Sequence, residues 1–281
     1  MTTVAIASIK GAPGVTTLSC LLAATWPDRD RVFVAECDPS GGDLAARFSL
    51  SSRHGWVTLA ASIRRQGLGG SLAEHLQVIP GGLRILVGSR EHEGTSPRLA
   101  QMFASDPLRF SDGPWDVIVD LGRLLPDSAG QAAWLQVADT ILIVLRPDIA
   151  STLHINGYAD GRLGGIRDQV QLVTMGPGYP VDEIERFVSL PVVAQLPWDT
   201  KVAQQLAGQR SASHHLRRSS LIGRAARLAS LCAGRDCPAD SCDITREMSQ
   251  LVRETAADHG ASIGPLQAVV DGQDGALGRA R

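Results

Sequence analysis

Lysine is almost absent from this chain. Lys10 and Lys201 are the only two among 27 basic residues, and arginine supplies the rest. Neither stands in an N-K-x-D or T-K-x-D sequence, which excludes lysine-dependent guanine recognition. No apolar run approaches the ~20 residues that a membrane-spanning helix needs. Cysteine is scarce: five in 281 residues, an odd number, which fits a reducing cytoplasm better than a disulfide framework. The histidines show no metal-ligand spacing; His54, His75 and His92 are scattered and read as surface or cap residues. A net charge of −2 gives no whole-molecule attraction to nucleic acid or anionic lipid. The N-terminus runs straight into a strand pattern, so no signal peptide is expected and a cytoplasmic location is.

Apolar residues make up 44% of the chain and charged residues 20%. That is enough for a full core, in one large domain or two small ones. Strands are expected over Val4–Ser8 and Arg31–Ala35, once within 77–87, and from Trp115 to an end at Asp120. Further strands are expected over Thr140–Leu145, 169–174 and Pro191–Leu196. Their nearly continuous apolarity marks parallel strands buried on both faces. Helical patterns cover Leu18–Thr25, most of 43–76, part of 88–110, the run from Ile149, and Val181–Leu190. Seven or so strands alternating with helices predict an α/β fold. It is a doubly wound, mainly parallel sheet with helices on both faces and ligands at the carboxyl ends of its strands.

Between the first strand and the first helix runs Ile9-Lys10-Gly11-Ala12-Pro13-Gly14-Val15-Thr16-Thr17. Strand, glycine-bearing loop, then helix is the layout that points backbone N–H groups and a helix dipole at a phosphate. The common form of such a loop is G-x-x-x-x-G-K-[ST]. Here Ile9 replaces the first glycine and Val15 replaces the lysine, while Thr16 keeps the hydroxyl that reaches Mg²⁺. Pro13 removes one N–H donor. The segment Lys10–Thr17 resembles the deviant Walker A motif of the ParA/MinD family of P-loop ATPases, K-G-G-x-G-K-[ST]-T, in a variant lacking the usual lysine. The resemblance implies that Lys10 reaches across a homodimer to the partner's nucleotide. It implies that Gly11, Ala12, Pro13, Gly14, Val15, Thr16 and Thr17 line the phosphates.

More of the chain supports the resemblance, from residue 3 to about 230. Glu36-Cys37-Asp38-Pro39 stands where the family carries D-x-D-P, so Asp38 is implied to order Mg²⁺ and the attacking water, with Glu36 in the first Asp's place. As plain chemistry, Asp38-Pro-Ser-Gly-Gly is also a good turn. The apolar run Trp115–Asp120, with Gly122 two residues on, has Walker B form and delivers a carboxylate to the metal shell. The alternative is a strand-terminal Asp that caps a turn. Pro80–Gly88 resembles the family's P-G-G-L-x-x-L-x-G phrase, and Pro197-Trp198-Asp199 its P-x-D turn near the adenine. Met175-Gly-Pro-Gly replaces the usual purine-side Asn. The metal set implied is Thr16, Asp38 and Asp120; the catalytic pair is Lys10 and Asp38; Pro197 and Asp199 flank the base. The cofactors implied are ATP and Mg²⁺, both held weakly.

Gly208 to Arg235 contains no acidic residue and six arginines, among them Arg210, Arg217, Arg218, Arg224 and Arg227. Leu221, Ile222, Ala225, Leu228 and Cys232 repeat at helical spacing, so one reading is a core-packed helix with a solvated basic back. The other is a face for DNA backbone, acidic lipid or a protein partner. Cys232, Cys237 and Cys242 are spaced C-x₄-C-x₄-C without a fourth ligand nearby, which argues against structural zinc. The domain reading is an ATPase-like unit over 1–232, a helical extension over 233–259 and a disordered tail over 260–281.

Loss of one charge-assisted phosphate contact, worth about 1.5–3 kcal/mol, weakens nucleotide binding on the order of ten- to a hundredfold. The resemblance then implies a nucleotide-dependent positioning or regulatory protein for chromosome partitioning, septum placement or secretion-machine localisation. Its site would be at most a slow ATPase, and its place the cytoplasm, peripheral at membrane or nucleoid. The competing reading is a pseudo-ATPase scaffold that binds proteins without nucleotide turnover. A metal-handling enzyme on the same fold fits poorly: no cysteine lies between Cys37 and Cys232, and no histidine cluster exists.

Overall fold

Apolar segments with no polar face become the central strands. In the computed structural model these are β1 (Thr3–Ser8), β2 (Val32–Glu36), β5 (Asp116–Arg123), β6 (Thr140–Leu145) and β7 (Val170–Met175). Shorter strands complete the set: β3 (Gln77–Val78), β4 (Arg84–Leu86) and β8 (Val192–Leu196). Residues 1–11, 14–66, 70–79, 82–88, 97, 100, 113–207 and 219–235 are described. Their strands form one sheet in the order β3-β4-β2-β5-β1-β6-β7-β8, parallel throughout except for β3.

The helices are α1 (Val15–Ala24), α2 (Leu44–Arg47), α3 (Trp56–Gln66), α4 (Ala129–Val137) and α5 (Ile149–Arg162). They continue with α6 (Val181–Val188), α7 (Thr200–Leu206) and α8 (Ser220–Cys232). Two buried clusters line the two faces of the sheet. Leu18, Leu21 and Leu22 of α1 and Leu221, Ile222 and Leu228 of α8 cover one; Trp56, Trp134, Ile155 and Ile184 cover the other. This is the doubly wound α/β fold expected from the alternating pattern.

Three expectations are corrected by local geometry. Residues 43–76 are not mainly helix: α2 is a single turn, and α3 begins only at Trp56. Ser49 and Gly55 take positive φ (53° and 146°). The φ of Gly55 is far from helical, so the helix breaks there, and an added Cβ would lie 2.6 Å from the Val87 carbonyl. The segment 77–87 is not one strand but a hairpin, reversed where Gly82 (φ 84°) donates its N–H to Ile79. Strand β5 does not stop at Asp120. Gly122 (φ 59°) absorbs a register shift, and pairing with β1 resumes at Ser8↔Arg123.

The sheet's two ends treat carboxylates differently. At the amino end Asp116 accepts from the Thr2 N–H and the Trp26 indole, and Asp139 accepts from the Thr3 N–H. These carboxylates are scaffold. The expected helix and loop over 88–110 lie almost wholly outside the described residues, as do Cys237, Cys242 and the segments 236–259 and 260–281.

Candidate functional site

Parallel register brings the site together. Strand β5 lies between β1 and β2, and Asp120 is level with Ile6 on one side and Glu36 on the other. The Cys37 N–H donates to the Asp120 carbonyl at 2.8 Å, which ties the end of β2 to β5. Beside them, α1 starts at Gly14, whose φ of 99° only glycine adopts readily. Helices α4, α5 and α7 are capped by Ser128, Asp148 and Asp199, whereas α1, like α2, α6 and α8, has no side-chain cap. Its first-turn N–H groups therefore face the site without a protein side-chain acceptor, as an anion-binding helix start requires.

The three implied metal-side residues meet here. The Thr16 hydroxyl lies close enough to the Asp120 carboxyl to draw it down, and the Gly122 N–H donates to Asp120 Oδ1 at 3.0 Å. Asp38 sits directly against Gly122, where an added Cβ would overlap its carboxylate. Asp38 Oδ1 accepts from the Ser40 N–H at 2.7 Å. Burial pushes Asp120 up to about 7, against the pull of Thr16 and Gly122; Glu36 and Asp38 push it further. Burial also raises Asp38, and the Ser40 hydrogen bonds draw it back.

Glu36 has a different job. Its Oε1 accepts from the Leu44 N–H at 2.7 Å and its Oε2 from the Gly88 N–H at 2.8 Å. The side chain is 2% exposed and closely covered by Gly42. It pins α2 and the exit of β4 to the end of β2. The sequence suggested only a conservative replacement for an Asp. The extra methylene lets this carboxylate reach two backbone donors.

Val15 is 5% exposed and belongs to the buried cluster that includes Leu18, Ile118 and Met175. No cation replaces the lysine from within the loop. Thr17 is half-buried, Lys10 and Gly11 are exposed, and Ala12 and Pro13 lie outside the described residues. Asp148 is held below the usual carboxylate range chiefly by the Ser151 N–H, with smaller pulls from Lys10 and Arg146. In the turn expected to lie near a base, Pro197 is half-buried. Asp199 accepts from the Lys201 and Val202 N–H groups and from the Ser219 hydroxyl at 2.8 Å. That carboxylate caps α7.

The donors fit a hard divalent ion that keeps waters and takes phosphate oxygens. They comprise one hydroxyl and two carboxylates that meet at adjoining strand ends, with Arg123 close enough to draw Asp38 down. Among the described residues no group of three His, Cys, Asp or Glu side chains is arranged to hold a metal alone. Such an ion would need the phosphates to complete its shell.

Sequence reasoning gave no role to Arg146. It stands just past the apolar run of β6, and the rule that ligands gather at strand ends would have flagged it. Of the basic patch, Arg224 and Arg227 project from α8 into solvent while Leu221, Ile222, Ala225 and Leu228 are buried. Arg224 also donates to the Gln195 carbonyl. Arg210, Arg217 and Arg218 lie outside the described residues.

No family model and no curated protein matches the sequence. Solved structures match by fold. A ParA family ATPase from Chlorobium tepidum is 18% identical, with a TM-score of 0.61 over 81% of this chain and 97% of that one. MinD from the MinC:MinD cell division complex of Aquifex aeolicus is 14% identical, with a TM-score of 0.63 over 86% and 99%. The septum site-determining protein MinD of Pyrococcus horikoshii, complexed with Mg-ADP, is 15% identical, with a TM-score of 0.60 over 82% and 95%. The chain has the fold of the MinD/ParA P-loop ATPases.

Proposed function

We propose that this chain is a ParA/MinD-like positioning or regulatory protein whose ATP binding and hydrolysis are weakened. Its setting would be chromosome partitioning, septum placement or secretion-machine localisation. One observation carries the reading: Thr16, Asp120 and Asp38 converge beside an uncapped helix start, while the loop's lysine position is a buried valine. The first-turn N–H groups of α1 would take the phosphates; one fold neighbour was solved with Mg-ADP. Thr16, Asp120 and Asp38 would hold Mg²⁺, which neutralises phosphate charge when bound. Asp38, half-buried and fixed by Ser40, would orient the attacking water. Pro197 and Asp199 would lie near the base.

Lys10 is exposed at the mouth of the loop, the position from which it would reach a second copy's nucleotide. A homodimer gated by nucleotide would then present a surface to a protein partner; one fold neighbour was solved in complex with MinC. Arg224 and Arg227, with Arg210, Arg217 and Arg218, would serve for non-specific DNA or membrane-surface contact. They would place a cytoplasmic protein at nucleoid or membrane. No helix among the described residues is long and apolar enough to cross a membrane.

The buried valine favours the second reading, a pseudo-ATPase scaffold. Calorimetric titration of the full chain with Mg·ATP separates the two. Weak saturable binding, lost in Thr16→Ala and Asp120→Ala, is expected. No heat at millimolar ATP overturns the nucleotide reading and leaves the scaffold.

A further inference from the structure

We propose that Arg146 supplies the phosphate-facing positive charge that Val15 cannot, and that Trp198 holds it in waiting. The inference rests on the nucleotide reading above and adds a residue to that site. Strands β1 and β6 are parallel neighbours, and their last paired positions are Ala7 and Ile143. Three residues beyond each lie Lys10 and Arg146, on neighbouring chain segments at the end of the sheet where the phosphate loop opens. Asp148 feels both.

Arg146 is exposed, and among the described residues no carboxylate pairs with it. Its guanidinium instead lies over the Trp198 ring, 5.1 Å from the centroid. Trp198 is placed for this role. Gly176 (φ 88°) puts its backbone against the Trp198 side chain, with an ideal Cβ 3.7 Å from it. The preceding residue, Met175, reaches to within 3.7 Å of an ideal Cβ on Gly14. The Arg146–Trp198 stack is thereby built onto the loop's own neighbours. A cation on an exposed aromatic face is held only weakly. A polyphosphate outbids that, because a guanidinium binds phosphate oxygens through two parallel donors.

The ligands for the test are Mg·ATP and inorganic tripolyphosphate with Mg²⁺, titrated calorimetrically into the full chain. Arg146→Gln is expected to weaken both at least tenfold and to leave the melting temperature unchanged. Arg146→Lys, which keeps the charge without the fork, is expected to recover part of the loss. Trp198 is half-exposed, whereas Trp26, Trp56, Trp115 and Trp134 are buried. Ligand should therefore change the iodide-quenchable tryptophan emission of the parent chain, and not that of Trp198→Phe. Binding by the parent that Arg146→Gln alters less than twofold overturns the proposal while the nucleotide reading stands. A loss confined to ATP also overturns it, since the arginine would then serve the base. No binding of either ligand by the parent overturns the nucleotide reading and this inference together.

Discussion

Replacing Asp120 by Asn should stabilise the chain at pH 8, and the gain should fade in acid. The Asp120 carboxyl is 1% exposed and pushed up to about 7 from 3.8. In the unfolded chain it returns to its ordinary value. Below that value the group is protonated in both states and costs nothing. Between about pH 4 and 7 the folded chain keeps a proton that the unfolded chain has released, so stability falls as pH rises, by about 1.4 kcal/mol per pH unit. Above about pH 7 the cost levels off at roughly 4 kcal/mol, about three pH units' worth. Asparagine is neutral throughout and keeps an acceptor for the Gly122 N–H and a partner for the Thr16 hydroxyl. Urea unfolding of both chains at pH 5 and pH 8 reads the difference. The advantage of Asp120→Asn should widen by roughly 2–3 kcal/mol between the two. Glu36 and Asp38 are raised by burial as well, so the variant retains a residual slope of the same sign. An advantage that does not change with pH, or a variant less stable at pH 8, refutes the reasoning.

Val15→Lys restores a cation to the loop at the cost of burying its stem among Leu18 and Met175. Mg·ATP should bind ten- to a hundredfold tighter by calorimetry, with the free protein melting lower. ATP binding by the parent chain should vanish when EDTA removes Mg²⁺, because Glu36, Asp38 and Asp120 gather without a lysine among them; persistent binding in EDTA would contradict this. Gly42→Ala drives a methyl into the Glu36 carboxyl, which its two backbone donors hold in place. It should cost about 1–3 kcal/mol in urea unfolding. Asp199→Ala uncaps α7 and frees Ser219, for a loss of about 1 kcal/mol; if the turn also touches the base, ATP affinity should drop separately.

Fold class was legible because the strands that decide it carry no polar face. Thr140–Leu145 reads as a strand from apolarity alone and is one, residue for residue. What the sequence hid was decided by contacts distant in the chain. The glycines at 67–70 mark a joint within 43–76, but the earlier break is set from a distance: Gly55 takes a non-helical φ and the Trp56 N–H donates to the Val87 carbonyl. The hairpin of β3 and β4 was likewise invisible to a pattern that registers apolarity and not direction. Asp38 and Asp120 were legible as a pair because each follows an apolar run in a fold that collects ligands at strand ends. Arg146 follows such a run too. It escaped notice because its neighbour Trp198 is 52 residues away in sequence, and only the sheet order β6-β7-β8 brings the two together.

The charge balance at these strand ends constrains function more tightly than the loop motif does. A P-loop with a lysine faces triphosphate as a positive concavity. Here Glu36, Asp38 and Asp120 adjoin one another, Val15 is buried, Arg123 lies near enough to draw Asp38 down, and Lys10 and Arg146 are exposed. Such a pocket floor would repel an anion that arrives alone and would accept one that brings a divalent cation. Raised carboxyls reinforce this, since a site that must release a proton to become fully charged gains most from Mg²⁺ once that proton has gone. Nucleotide occupancy should therefore follow Mg²⁺ and rise with pH across the range where Asp120 titrates. In a chain with the lysine the same carboxyl would be held ionised, and occupancy would be nearly flat over that range.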